Sequence, residues 1–159
     1  MNNVDVIGAN KSQSDKIESI VHFCIHKLMP RMQTLDIEVR LTSIDDANGY
    51  CTKLTDTKNP RDFEIEVDNK LSLRQILETV CHEMVHVKQY ARNEMCDADT
   101  FHTNKTSWKS NQVCTKSTEY WDLPWEIEAH GREIGLFIRW AQANAVSYTH
   151  LRAHETIAD

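Results

Sequence analysis

Ser72-Leu73-Arg74-Gln75-Ile76-Leu77-Glu78-Thr79-Val80-Cys81-His82-Glu83-Met84-Val85-His86 reads as the opening turns of one amphipathic helix, and its layout organises the rest of the chain. Ser72 and Gln75 stand at capping-box spacing, so the helix is expected to start there and run to about Glu94. Leu73, Ile76, Leu77, Val80, Met84, Val87 and Ala91 recur at helical spacing and form a stripe that packs on a core. His82 and His86 fall almost opposite that stripe, together with Gln75, Thr79 and Tyr90. Residues four apart stack on a helix, so the two imidazoles can reach one ion. Glu83 lies about 100° round from His82, which sets its carboxylate beside such an ion rather than on it. The plainer explanation is a helix that shows two histidines and a glutamate to water. A third ligand from elsewhere in the chain separates the two explanations.

Upstream of this helix the pattern is mixed. Ser14 to about Met29 reads as a second amphipathic helix, with Ser14 as N-cap, Ile17, Ile20, Val21, Cys24 and Leu28 inward, and Pro30 as the stop. His22 and His26 are also four apart there, but no carboxylate accompanies them, so they read as a polar face. Asp36-Ile37-Glu38-Val39-Arg40-Leu41 and Asp62-Phe63-Glu64-Ile65-Glu66-Val67 alternate polar and apolar residues, the signature of half-buried strands. The polar, Gly49-containing stretch from Asp45 to Pro60 between them reads as loop. Helices flanking a small antiparallel or mixed sheet with one wet face make an α+β domain.

A chain of 159 residues, 40 % apolar and 26 % charged, suits one soluble globular domain. It carries no run of membrane-spanning length, and the start Met1-Asn2-Asn3-Val4-Asp5 has neither the basic nor the apolar part of a signal peptide. Five cysteines without a C-x-x-C pair read as free thiols in a reducing, cytoplasmic setting, although Cys96 and Cys114 bracket a loop and could join. The net charge of −6 argues against nucleic acid as a main partner, and Lys105, Lys109 and Lys116 read as a solvated surface.

Downstream, residues 95–123 read as a long irregular stretch whose aromatics, Phe101, Trp108, Tyr120 and Trp121, suit a cleft wall or lid. Pro124 then opens a last helix running to about Ala145. Its inward stripe can be traced as Glu126, His130, Glu133, Ile134, Phe137, Ile138 and Ala141, with Glu128, Arg132, Gly135 and Arg139 opposite. Helical phase therefore picks Glu126 as the carboxylate that completes a three-ligand metal site. Residues 146–159 continue no pattern and read as an appended non-native or disordered tail, so His150 and His154 are left out of the site.

Three segments carry a family resemblance: Phe63-Glu64-Ile65-Glu66-Val67, His82-Glu83-Met84-Val85-His86-Val87-Lys88-Gln89 and Pro124-Trp125-Glu126-Ile127-Glu128-Ala129. Over about residues 60–140 the chain resembles gluzincin-type metallopeptidases, among them the small SprT-like and phage-encoded ones. Gln89 and Arg92 stand where a metzincin would have its glycine and third histidine, which excludes that branch. The resemblance implies a zincin-like minimal metallopeptidase domain over residues 1–145. It implies one Zn2+ held by His82, His86 and Glu126, with Ala129 allowing close helix approach. Glu83 would serve as general base in peptide-bond hydrolysis. Tyr120, His102, His130 and Arg132 are candidates to steady the developing oxyanion, and Glu133 to orient a ligand histidine. The substrate would be a peptide or protein, lying along Phe63 to Val67 as an exposed strand edge. The four-cysteine zinc ribbon common in SprT-like proteins is absent here, and with it the ground for a DNA-linked role. The rival reading is a catalytically silent, zinc-containing module that binds peptide or accompanies nucleic acid.

Overall fold

The computed structural model describes residues 1–97 and 105–144. Two helices come first to notice because each closes its own N-terminus. The first, α1 (Lys11–Leu28), starts a turn earlier than its apolar pattern suggests, because Asn10 rather than Ser14 is the cap: its side chain accepts from the Gln13 backbone N–H while Gln13 bonds back. The second, α2 (Leu73–Ala91), opens on the Ser72–Gln75 capping box and ends at Arg92. A third, α3 (Pro124–Ala143), begins with proline in its first turn.

The strands form a four-stranded mixed sheet in the order β1-β2-β4-β3: β1 (Asn3–Ile7), β2 (Asp36–Thr42), β3 (Gly49–Lys53) and β4 (Asp62–Asp68). β1 and β4 flank β2 in parallel, with Asp36 opposite Asp62 and Thr42 opposite Asp68, and β3 pairs antiparallel to β4. Ile37, Val39, Leu41, Phe63, Ile65 and Val67 point inward and are buried, while Glu38, Arg40, Glu64 and Glu66 stay on the wet face. Parallel neighbours need a crossover. Here α1 supplies one between β1 and β2, and β3 occupies the return from β2 to β4.

Two expectations are corrected by this topology. The Asp45–Pro60 stretch is not all loop, since Gly49–Lys53 forms β3. Phe63–Val67 is not an edge, since β4 is paired on both sides; the edge nearest α2 is β3. A polar strand such as Gly49-Tyr50-Cys51-Thr52-Lys53 is what an edge tolerates, with one side facing solvent.

The core lies between the inner sheet face and the helices, and α2 is its centre. Ile76, Leu77, Val80, Cys81, Met84, Val85, Val87 and Ala91 are all buried, which widens the expected stripe to most of the helix circumference. Its remaining face lies beneath α3 and β3, so His82 and His86 are enclosed rather than exposed to water. α3 contributes Trp125, Ala129, Leu136, Phe137, Trp140 and Ala141 to burial. Ile134 stands exposed, so the inward stripe traced for this helix mixes two faces.

Residues 95–123 are not irregular throughout. β5 (Met95–Asp97), β6 (Lys105–Trp108) and β7 (Asn111–Cys114) make a small antiparallel sheet, followed by a 3-10 turn at Tyr120–Asp122. The β6–β7 turn places Lys109 and Ser110 at φ 47° and 72°, the left-handed geometry of a tight hairpin without its usual glycine. Trp108 stacks near Trp125 with ring centroids 6.3 Å apart, anchoring this sheet to the start of α3. All five cysteines are free, so Cys96 and Cys114 do not pair. No helix among the described residues is long and apolar enough to cross a membrane. His102, Phe101 and the 146–159 tail lie outside the described residues.

Candidate metal centre

The two histidines sit one turn apart on α2, and α3 packs against that helix with Ala129 fully buried. Glu126, one turn earlier on α3, then reaches both rings. Its Oε2 lies 3.1 Å from His82 Nε2 and its Oε1 3.1 Å from His86 Nε2. The two Nε2 atoms are 3.2 Å from each other. Each histidine turns its other nitrogen to an acceptor: His82 Nδ1 to Glu133 Oε2 at 2.7 Å, and His86 Nδ1 to Gln89 Oε1 at 2.8 Å.

These contacts determine what the centre can hold. A carboxylate or amide oxygen only accepts, so the Nδ1 atoms donate and, in the neutral rings, the Nε2 lone pairs face inward. Two lone pairs and an anionic oxygen then meet in a buried place, a combination able to hold a cation between them. Ligand atoms on a tetrahedron with bonds of about 2.0 Å are about 3.3 Å apart. The observed separations fit that figure. His82, His86 and Glu126 form one group able to hold a metal ion; His82, His130 and Glu133 form a second, less buried one. The second group draws on the His82 face that Glu133 already occupies, so the first is the better defined.

Protonation follows the same geometry when protons are the only cations. Burial disfavours charge on His82, but the hydrogen bonds it donates to Glu126 and Glu133 outweigh it and carry its pKa up to about 10. His86 is raised in the same way, through Glu126 and the nearby Glu83 charge. Burial acts against ionised Glu126, yet both histidines hold its carboxyl well below the usual range. Glu133 is lowered too, by His82 and His130 against the cost of burial.

Glu83, buried and on the same turn as His82, faces a cleft of about 680 Å³ that His82 and His86 also line. Burial raises its pKa, and the histidine charges only partly offset that. Across the cleft the edge strand comes close at Gly49. A Cβ there would lie 2.7 Å from Thr79 Cγ2, 2.8 Å from the Glu66 carbonyl oxygen and 3.3 Å from Glu83 Oε1. Only glycine lets β3 run this near α2.

Among the other residues singled out from sequence, Tyr120 donates to Glu126 Oε2 at 2.8 Å and meets His130 Nε2 at 3.0 Å. His130 Nδ1 lies 3.3 Å from Glu133 Oε1 and its ring stacks 4.8 Å from that of the exposed Trp121, at the cleft mouth. Arg132 is not in the site: it lies 3.7 Å from Glu128. Glu128 itself does not point to water as its phase suggested. It accepts from Lys88 Nζ at 2.7 Å and Gln89 Nε2 at 2.9 Å, because α3 crosses α2 where those two side chains emerge. Sequence reading missed the roles of Gln89, Gly49 and Glu128. Gln89 was open to discovery, standing three residues after His86 on one helix face.

Comparison with known proteins returns no relative: no family model, no curated protein and no solved structure matches the chain.

Proposed function

We propose that this chain is a zinc-dependent peptidase of zincin-like architecture, with His82, His86 and Glu126 as zinc ligands and Glu83 as general base. The observation that carries the reading is the inward meeting of two Nε2 atoms and a carboxylate, each imidazole backed by an acceptor on its far side. Nitrogen-rich donor sets favour zinc over calcium or magnesium, which prefer oxygen. The order of elements, a sheet followed by the H-E-x-x-H helix and then a carboxylate-bearing helix, supports the architecture.

When bound, the ion would supply Lewis acidity and bring the pKa of a water to about 7. The remaining chemistry belongs to the chain. Glu83 faces the cleft beside the ligands, placed to take a proton from the attacking water and return it to the leaving amine nitrogen as the C–N bond breaks. Its raised pKa brings it nearer the working range of a base that must also act as an acid. Tyr120 and His130 border the same space, and the Tyr120 hydroxyl, which here donates to Glu126, would serve the developing oxyanion by turning toward it. An extended peptide has a strand edge to pair with in β3, which lines the cleft through Gly49, Tyr50 and Cys51.

The test compares zinc-loaded wild type with Glu83→Gln on an unstructured protein substrate. The variant should keep its zinc and lose cleavage by about 100-fold or more. Undiminished cleavage would remove Glu83 from the role of base, and no cleavage by either form would contradict the peptidase reading.

A further inference from the structure

Gln89 is fully buried beside the metal centre, and its amide is oriented by partners that leave no alternative. One end lies 3.0 Å from the Trp125 carbonyl oxygen and 2.9 Å from Glu128 Oε1. Both of those atoms only accept, so the amide nitrogen must face them. The amide oxygen is thereby turned to His86 Nδ1, 2.8 Å away. An amide oxygen cannot donate, so Nδ1 carries the hydrogen and the neutral ring presents its Nε2 lone pair to Glu126 and His82. Glu128 is in turn held by Lys88 Nζ, which is buried and also pairs with Glu94 Oε1 at 2.8 Å.

We infer that Gln89 is the positioning residue for His86, and that Glu128 acts through it: the Glu128–Gln89 pair selects the ring tautomer that leaves Nε2 available to a metal. The inference rests on the proposed metal function and adds a directional chain, α3 carboxylate to amide to imidazole, by which the later helix governs a ligand on the earlier one. His82 receives the same service from Glu133, but there the acceptor is a carboxylate at the cleft and needs no orienting partner. A neutral amide can face either way, so His86 depends on a second residue that His82 does not need.

Three variants test it: Gln89→Met, which keeps bulk but removes both hydrogen-bonding ends, Glu128→Gln, and the double substitution. Zinc affinity is read by chelator competition, and the His86 Nδ1–H proton by NMR of the metal-free protein. Gln89→Met should lower zinc affinity about 10- to 100-fold. Its His86 Nδ1–H signal should exchange rapidly while that of His82 stays protected. Glu128→Gln should lower affinity less, and the double variant should be no worse in affinity than Gln89→Met alone, because Glu128 reaches His86 only through the amide. A folded Gln89→Met protein with affinity within twofold of wild type, or a double variant whose losses simply multiply, would overturn the inference. Should Gln89→Met fail to fold, Glu128→Gln decides: an unchanged His86 signal overturns the chain, and faster exchange supports it. Wild type that binds no zinc would defeat the proposed function instead, and the NMR comparison would still judge Gln89.

Discussion

Replacing Gly49 with alanine probes the close approach of β3 to α2. The added Cβ would sit 2.7 Å from Thr79 Cγ2 and 2.8 Å from the Glu66 carbonyl oxygen, where carbon contacts are ordinarily about 3.5–4.0 Å. Neither neighbour yields easily. Thr79 donates its hydroxyl to the Gln75 carbonyl at 2.7 Å, which fixes its methyl, and Glu66 is backbone of the central β4. The strain is therefore relieved by β3 moving outward on the order of 1 Å. Overpacking of this size costs about 1–3 kcal/mol, or a melting point lower by roughly 3–10 °C for a domain of this length. The proposed ligands lie on α2 and α3, away from the displaced strand, so zinc affinity should hold within about threefold. Peptide cleavage should fall further than stability, by about 10- to 100-fold, because a substrate paired to β3 is displaced from Glu83. Denaturant melts, chelator competition and a peptide assay separate these readouts. Unchanged stability together with unchanged cleavage would refute the reasoning, as would a loss of zinc without loss of fold.

Glu126→Ala should abolish tight zinc binding while leaving a folded protein, measured by metal content after gel filtration; retained stoichiometric zinc would remove Glu126 from the ligand set. Glu128→Ala should lower stability by about 1–3 kcal/mol in urea melts, since Lys88 is buried and would lose one of the two carboxylates that pair with it among the described residues. A neutral outcome would show that the Lys88–Glu128 contact carries no energy. In chelator, stability should depend on alkaline pH through His82. Its proton is bound in both folded and unfolded chains below about 6.5, and in the folded chain alone from there to about 10. The stabilisation is thus complete at low pH and lost as pH rises through about 10, at roughly 1 kcal/mol per unit. Zinc-loaded protein should show no such slope between pH 7 and 10, and equal slopes for both forms would contradict the imidazolium–carboxylate cluster.

The parts of this fold that could be read from sequence were those whose determinants are local. α2 announces itself through a capping box and an unbroken apolar period, and β2 and β4 through alternation that survives because one face is wet. β1 and β3 were missed as short edge strands: Asn3-Val4-Asp5-Val6 does alternate, but over too few residues to stand out, and Gly49–Lys53 has no fully buried side chain to mark an inner face. The β5–β7 sheet was hidden likewise, its turn made by Lys109 and Ser110 instead of glycine. Glu126 was reachable from helical phase because it shares a face with His130 and Glu133. That face turned out to line the site, while the core side of α3 runs through Ala129, Leu136, Phe137 and Trp140. Glu128 was misread for a tertiary reason. Its environment depends on where α3 crosses α2, and no period along one helix encodes a crossing point.

The most direct test of the three-ligand centre is X-ray absorption or anomalous diffraction on purified, zinc-loaded protein. One ion per chain, with two imidazole nitrogens from His82 and His86 and a Glu126 oxygen at about 2.0–2.2 Å, is the expected result. Substoichiometric metal, or an ion whose neighbours leave out Glu126, would contradict it.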